Sequence, residues 1–217
     1  MGRVALKFCG LMRDEDARAA VSLRADYAGV IFAAGPRRLS PERARELLDP
    51  VSAQLQTVGV FGVNEPGEIA RVAALVGLHV VQLHSGPTAT DVARVRESTG
   101  CLVWAVVRIG EGGAARSEAA AVAALRMVAD AVVLDSWSAT QLGGSGATFP
   151  WSEVTAMAVS ADGAPIVLAG GLTADNVSAA IEALRPAVVD VSSGVEWSPG
   201  VKDHDRMRAF AAAVRGM

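Results

Sequence analysis

Short apolar runs rich in Val, Ile and Leu recur along the chain: "VALKFC" from Val4, "YAGVIF" from Tyr27, "QTVGVF" from Gln56 and "HVVQLH" from His79. The series continues with "LVWAVV" from Leu102, "AVVLD" from Ala131, "PIVLAGG" from Pro165 and "AVVDVSSG" from Ala187. Continuous apolar runs of this length read as strands buried on both faces, the habit of parallel sheets covered by helices. Helical patterns lie between them. "SPERARELL" offers Ser40 as N-cap with Pro41 at the first helical position, and "TADNVSAAIEAL" offers Thr173 as a cap. The fifth helix is the weakest, because "GEGGAARSEAAAVAALRMV" is Ala-rich with little amphipathic contrast.

Strand and helix alternate eight times at the spacing one βα unit needs, which predicts a closed (β/α)8 barrel spanning 1–217 as a single domain. An open doubly wound sheet is the competitor. It would gather its glycine-rich turns after early or middle strands, whereas here they follow several late ones.

Composition narrows the partners. The chain has 217 residues, 51% of them hydrophobic, enough for one sizeable core, and its net charge is only −3. No run of Lys or Arg is long enough for a nucleic-acid footprint or a membrane-surface patch, so a small-molecule partner is expected. The N-terminus lacks a signal-peptide pattern and no apolar stretch reaches the length of a membrane span, which predicts a cytoplasmic protein. Cys9 and Cys101 are then expected as free thiols, and no spacing suggests a metal site.

In a barrel the chemistry sits where lumen-facing side chains reach the C-terminal strand ends. Side chains alternate along a strand, so Lys7 and Cys9 share one face. Gln82 and His84 share a face on strand four, Asp135 follows Ala131 and Val133 on strand six, and Asp190 pairs with Ser192 on strand eight. These groups are candidates for catalysis and substrate contact, each with a plainer alternative. Cys9 could be a small buried hydrophobe and Asp135 a brace for its loop. Lys7 and Asp190 could form a buried ion pair, His84 could be a satisfied core histidine, and Gln82 could merely orient its neighbours. Three late loops suit a phosphate, because their glycines leave backbone N–H groups unobstructed. They are "GGSGATF" with Gly144 and Gly146, "AGGLTADN" with Gly170 and Gly171, and "SSGVEWSPGVKD" with Ser192, Ser193 and Gly194.

The stretches "KFCGLMRDEDA", "GVIFAAGPRRLSPERA", "VGVFGVN", "VQLHSG", "GGSGATFPW", "LAGGLTADNV" and "VDVSSGVEWSPGVKD" run in order from Lys7 to Asp203. Together they resemble the phosphoribosylanthranilate isomerase family of tryptophan biosynthesis. The resemblance implies a cofactor-free Amadori rearrangement of a phosphorylated aminoaldose in a monomer or homodimer. By similarity, Asp135 is the general acid that opens the ribose ring, Cys9 is the general base at C2, and Arg37 meets the anthranilate carboxylate. Lys7 is expected to help ionise the Cys9 thiol, whose ordinary pKa is about 8.5. The family usually has Ser-Pro-Arg after strand two, and Gly35 stands here in place of the serine. A related histidine-pathway isomerase typically uses two aspartates, which Cys9 argues against. A barrel that binds a phosphosugar without turnover would lack the acid or the base.

Overall fold

The computed structural model describes residues 3–62, 65–110, 115–137 and 163–216. Eight parallel strands pair in chain order and close into a barrel through β8 on β1. They are β1 (Ala5–Phe8), β2 (Tyr27–Ile31), β3 (Gln56–Phe61), β4 (Val80–Leu83), β5 (Leu102–Gly110), β6 (Ala131–Trp137), β7 (Ile166–Ala169) and β8 (Val188–Val191). Around them lie α1 (Asp14–Ser22), α2 (Pro41–Leu48), α3 (Pro66–Val76), α4 (Ala89–Thr99), α5 (Ala115–Arg126), α6 (Val177–Leu184) and α7 (His204–Arg215). No helix among the described residues is long and apolar enough to cross a membrane.

Strand alternation divides the interior into two apolar regions. Leu6 and Phe8 point outward into the layer between sheet and helices, with Leu47, Ile69, Leu134 and Phe210. Val58, Val80, Trp104, Val106, Val133, Val167 and Val188 fill the lumen, where Tyr27 meets Trp104 edge-on at 4.9 Å between ring centroids. The lumen is therefore packed below its mouth, and polar groups of the same parity emerge only toward the C-terminal strand ends. Register carries them together: Lys7 lies opposite Asp190 across β1 and β8, and Arg108 lies opposite Asp135 across β5 and β6.

The helix starts follow local chemistry. Ser40 caps α2 by accepting the Arg43 N–H, with Pro41 in the first turn, as the sequence pattern predicts. The cap expected at Thr173 lies instead at Asn176, where α6 begins. Asn176 accepts the Thr173 N–H at 2.8 Å and donates to the Gly171 carbonyl at 2.9 Å, so residues 173–176 tie down the loop after β7 before the helix starts. The loop after β8 also forms an unforeseen antiparallel hairpin, β9 (Glu196–Ser198) with β10 (Val201–Lys202). Its strands are too short to show as an apolar run.

Candidate active site

Cys9 stands just beyond β1, held by its N–H to the Val191 carbonyl at 2.9 Å, with its side chain toward the lumen mouth. Glycine makes that position possible from two sides. A Cβ at Gly29 on β2 would lie 3.0 Å from the Cys9 Sγ and 3.2 Å from the Lys7 Cε. Gly10 has φ +69, and a Cβ there would lie 2.8 Å from the Arg37 Cδ. Any side chain on Gly10 would thus displace the arginine stem that crosses it.

Beneath Cys9 the Lys7 side chain has no exposure, and its ammonium donates to Asp190 at 2.6 Å and Gln82 at 3.0 Å. Lys7 and Gln82, both expected to contact substrate, are buried here, with the Lys7 ammonium between Gln82 and Asp190. Burial works against the Lys7 charge, but Asp190 and Cys9 together hold its pKa above the usual range. Breaking such a pair from one side typically costs about 3–5 kcal/mol. Asp190 is only 6% exposed, and its Oδ1 has no hydrogen-bond partner among the described residues.

The expected assistance from Lys7 does not prevail at Cys9. Burial pushes the thiol up, Lys7 and Lys202 pull it down, and Asp190 adds to the rise, leaving it above the ordinary thiol range. Lys7 is the strongest of the lowering influences, but burial, the largest cause, with Asp190 behind it, outweighs them. In a Cys101→Ser background, the rate of Cys9 alkylation by iodoacetamide should climb with pH to a midpoint above the usual thiol value. A midpoint below about 8 would contradict this reading. Cys101 serves as the background site because its half-buried thiol donates to the Leu78 carbonyl at 3.2 Å, at the N-terminal end of β5.

Across the mouth, burial pushes the Asp135 carboxyl up to about 6, and the Asp190 charge adds to the rise against Arg108 and Lys7. His84 places Nε2 3.8 Å from Asp135 Oδ2. Burial, with help from Arg108 and Lys7, lowers the His84 pKa, so the imidazole is neutral near pH 7. In the sequence only its parity with Trp104 and Val106 marks Arg108 as lumen-facing, opposite Asp135 on β6.

Arg37 reaches over Gly10 to Glu196, donating from Nε at 2.9 and 3.1 Å and from Nη2 at 2.6 Å. Glu196 also accepts from Lys202 Nζ at 2.8 Å, and Lys202 donates to the Ser192 carbonyl at 3.1 Å. Glu196 and Lys202 lie within the quoted "SSGVEWSPGVKD" but carried no assigned role there. Only the fold shows that this loop turns back toward Arg37.

The expected phosphate loops come together in part. A Cβ at Gly194 would collide with the Leu172 carbonyl, so the turn Ser193–Val195 lies directly against the loop that carries Gly170 and Gly171. Ser192 and Ser193 open that turn at the same end of the barrel as Cys9. Gly144 and Gly146 lie outside the described residues.

A family model described as N-(5′-phosphoribosyl)anthranilate (PRA) isomerase matches residues 6–213. A curated relative from Thermoanaerobacter pseudethanolicus, named N-(5′-phosphoribosyl)anthranilate isomerase, is 36% identical over 99% of both chains. The crystal structure of phosphoribosyl anthranilate isomerase from Thermotoga maritima superposes with a TM-score of 0.87 at 36% identity, covering 99% of this chain and 100% of that one. A further structure of such an isomerase, bound to reduced 1-(o-carboxyphenylamino)-1-deoxyribulose 5-phosphate, superposes with a TM-score of 0.82 at 33% identity, covering 99% and 100%.

Proposed function

Because the chain belongs to the N-(5′-phosphoribosyl)anthranilate isomerase family of tryptophan biosynthesis, we propose that Cys9 and Asp135 divide the two proton transfers of its isomerisation. One observation carries the assignment: Cys9, just beyond β1, and Asp135 on β6 are buried titratable groups at one barrel mouth, both acted on by Lys7 and Asp190. A carboxyl with a pKa of about 6 retains enough acid form near neutrality to protonate a leaving oxygen.

Asp135 protonates the ribose ring oxygen, the C1–O bond breaks, and the aryl nitrogen takes the positive charge as an iminium. The Cys9 thiolate then removes the C2 proton, and its electron pair neutralises the iminium to give an enolamine. Tautomerisation yields the C2 ketone and a C1 methylene, so the aminoaldose becomes the aminoketose with no net change in atoms or electrons. The raised thiol pKa fits this order, because a cation formed beside Cys9 favours the thiolate at the step that needs it. Neutral His84, with Nε2 3.8 Å from Asp135 Oδ2, stands beside the acid without adding charge.

The phosphate is assigned to Gly170, Gly171 and Ser192–Gly194, while Gly144 and Gly146, also expected from the sequence, lie outside the described residues. Asp190 Oδ1, buried at the mouth, is the acceptor for a sugar hydroxyl. The substrate's second anion, the aryl carboxylate, is assigned to Arg37. The guanidinium uses its Nε and Nη2 edge on Glu196, and Nη1 makes no hydrogen bond among the described residues. Arg37→Ala should raise KM about tenfold or more, since a charge-assisted hydrogen bond is worth roughly 1.5–3 kcal/mol. On an analogue built from aniline, which lacks the carboxylate, the variant and wild type should have equal KM. A variant that discriminated the two substrates as wild type does would remove Arg37 from this role. For the activity itself, purified protein in EDTA should abolish the fluorescence of phosphoribosylanthranilate, and unchanged fluorescence would overturn the reading.

A further inference from the structure

The assigned carboxylate contact poses a charge problem, because Arg37 already holds an anion. Glu196 is 6% exposed and occupies the whole Nε and Nη2 side of the guanidinium through both its oxygens. A simple one-to-one ion pair would leave nothing to attract a second carboxylate. Glu196 is shared, however: Lys202 Nζ donates to its Oε1 at 2.8 Å, and the Gly200 N–H approaches the same oxygen at 3.3 Å. Lys202 has no side-chain exposure, and its other contacts are the Ser192 carbonyl and hydroxyl, which carry no charge. The cluster therefore holds two cations and one anion, leaving one positive charge, and the partly exposed member is Arg37, at 22%.

We propose that Glu196 is a positioning residue for substrate selection: it locks the Arg37 side edge, while Lys202 offsets its charge, so that the end edge of the guanidinium presents one net positive charge to the aryl carboxylate. A planar guanidinium can take one carboxylate along its Nε/Nη2 side and a second across Nη1/Nη2, because its five N–H groups form a rigid fork. Fixing one edge fixes the direction of the other. The stem is fixed as well, since it runs over Gly10. The charged groups around Cys9 are Lys7 from its own strand and Asp190, Lys202 and Arg37 from neighbouring elements, and Glu196 touches two of these four. This inference rests on the assignment of Arg37 to the aryl carboxylate.

The test is a double-mutant cycle read as the ratio of kcat/KM for phosphoribosylanthranilate to that for its aniline analogue. Glu196→Gln raises the net charge of the cluster but removes one of the two oxygens that hold the Arg37 edge. Positioning therefore predicts that the ratio falls about tenfold, through KM for the carboxylated substrate. A rise, the result of net charge alone, would overturn the inference. In an Arg37→Ala background the same change should leave the ratio unaltered. A Glu196→Gln enzyme with the wild-type ratio would overturn the inference while leaving the Arg37 assignment intact. If Arg37→Ala alone left the ratio unchanged, the assignment itself would fail, and the inference with it. Should Glu196→Gln fail to fold by circular dichroism, Glu196→Asp decides: it retracts the carboxylate by one methylene and should lower the ratio in the same direction, and an unchanged ratio would overturn the proposal.

Discussion

Cys9→Ser should lower kcat by a factor on the order of a thousand, within the range that a positioned general base contributes, while folding is retained. A hydroxyl occupies slightly less space than a thiol, and the pocket left by Gly29 and Gly10 accepts it without clash. What is lost is the proton acceptor, because a serine hydroxyl does not ionise at any pH the protein survives. The thiol's raised pKa does not weaken this expectation. Only the reactive fraction must be thiolate, and the iminium formed by ring opening draws that fraction up when it is required. Cys101→Ser should leave kcat unchanged, since that thiol sits at the opposite end of its strand from the mouth. Equal losses in the two variants would remove Cys9 as the base.

Asp135→Asn should lower kcat by a factor on the order of a hundred or more, with KM nearly constant. The amide keeps the size and hydrogen-bonding reach of the carboxyl and lacks a transferable proton. Its neighbours are also spared: Arg108 is exposed and His84 is neutral, so neither is left as a buried unpaired charge. A variant within a few-fold of wild type would mean that another group, or water, opens the ring.

Much of this was legible in the chain before any coordinates. Eight apolar runs at βα spacing implied the barrel, and strand parity placed Cys9, His84, Asp135 and Asp190 on one surface, since a period of two leaves no freedom once the strands are fixed. Contacts between loops were not legible. Nothing in the spacing of Arg37 and Glu196 shows that the hairpin β9–β10 folds one onto the other, because loop paths depend on tertiary packing rather than on periodicity. Thr173 misled for a related reason: Asn176 competes for the same backbone groups and wins by bonding Gly171 as well. The sign of the Cys9 shift was also beyond the sequence. A nearby lysine suggests a lowered pKa, but whether burial outweighs it depends on how deep the thiol lies and on the Asp190 charge behind it.

The central claim is that Cys9 and Asp135 perform proton transfers and do not serve mainly to bind. Its most direct test is the affinity of wild type, Cys9→Ser and Asp135→Asn for reduced 1-(o-carboxyphenylamino)-1-deoxyribulose 5-phosphate, measured by calorimetry beside turnover of phosphoribosylanthranilate. The account predicts dissociation constants within about threefold of wild type for both variants, alongside the large losses in kcat. Affinity losses as large as the kcat losses would make both residues binding groups and would contradict the mechanism.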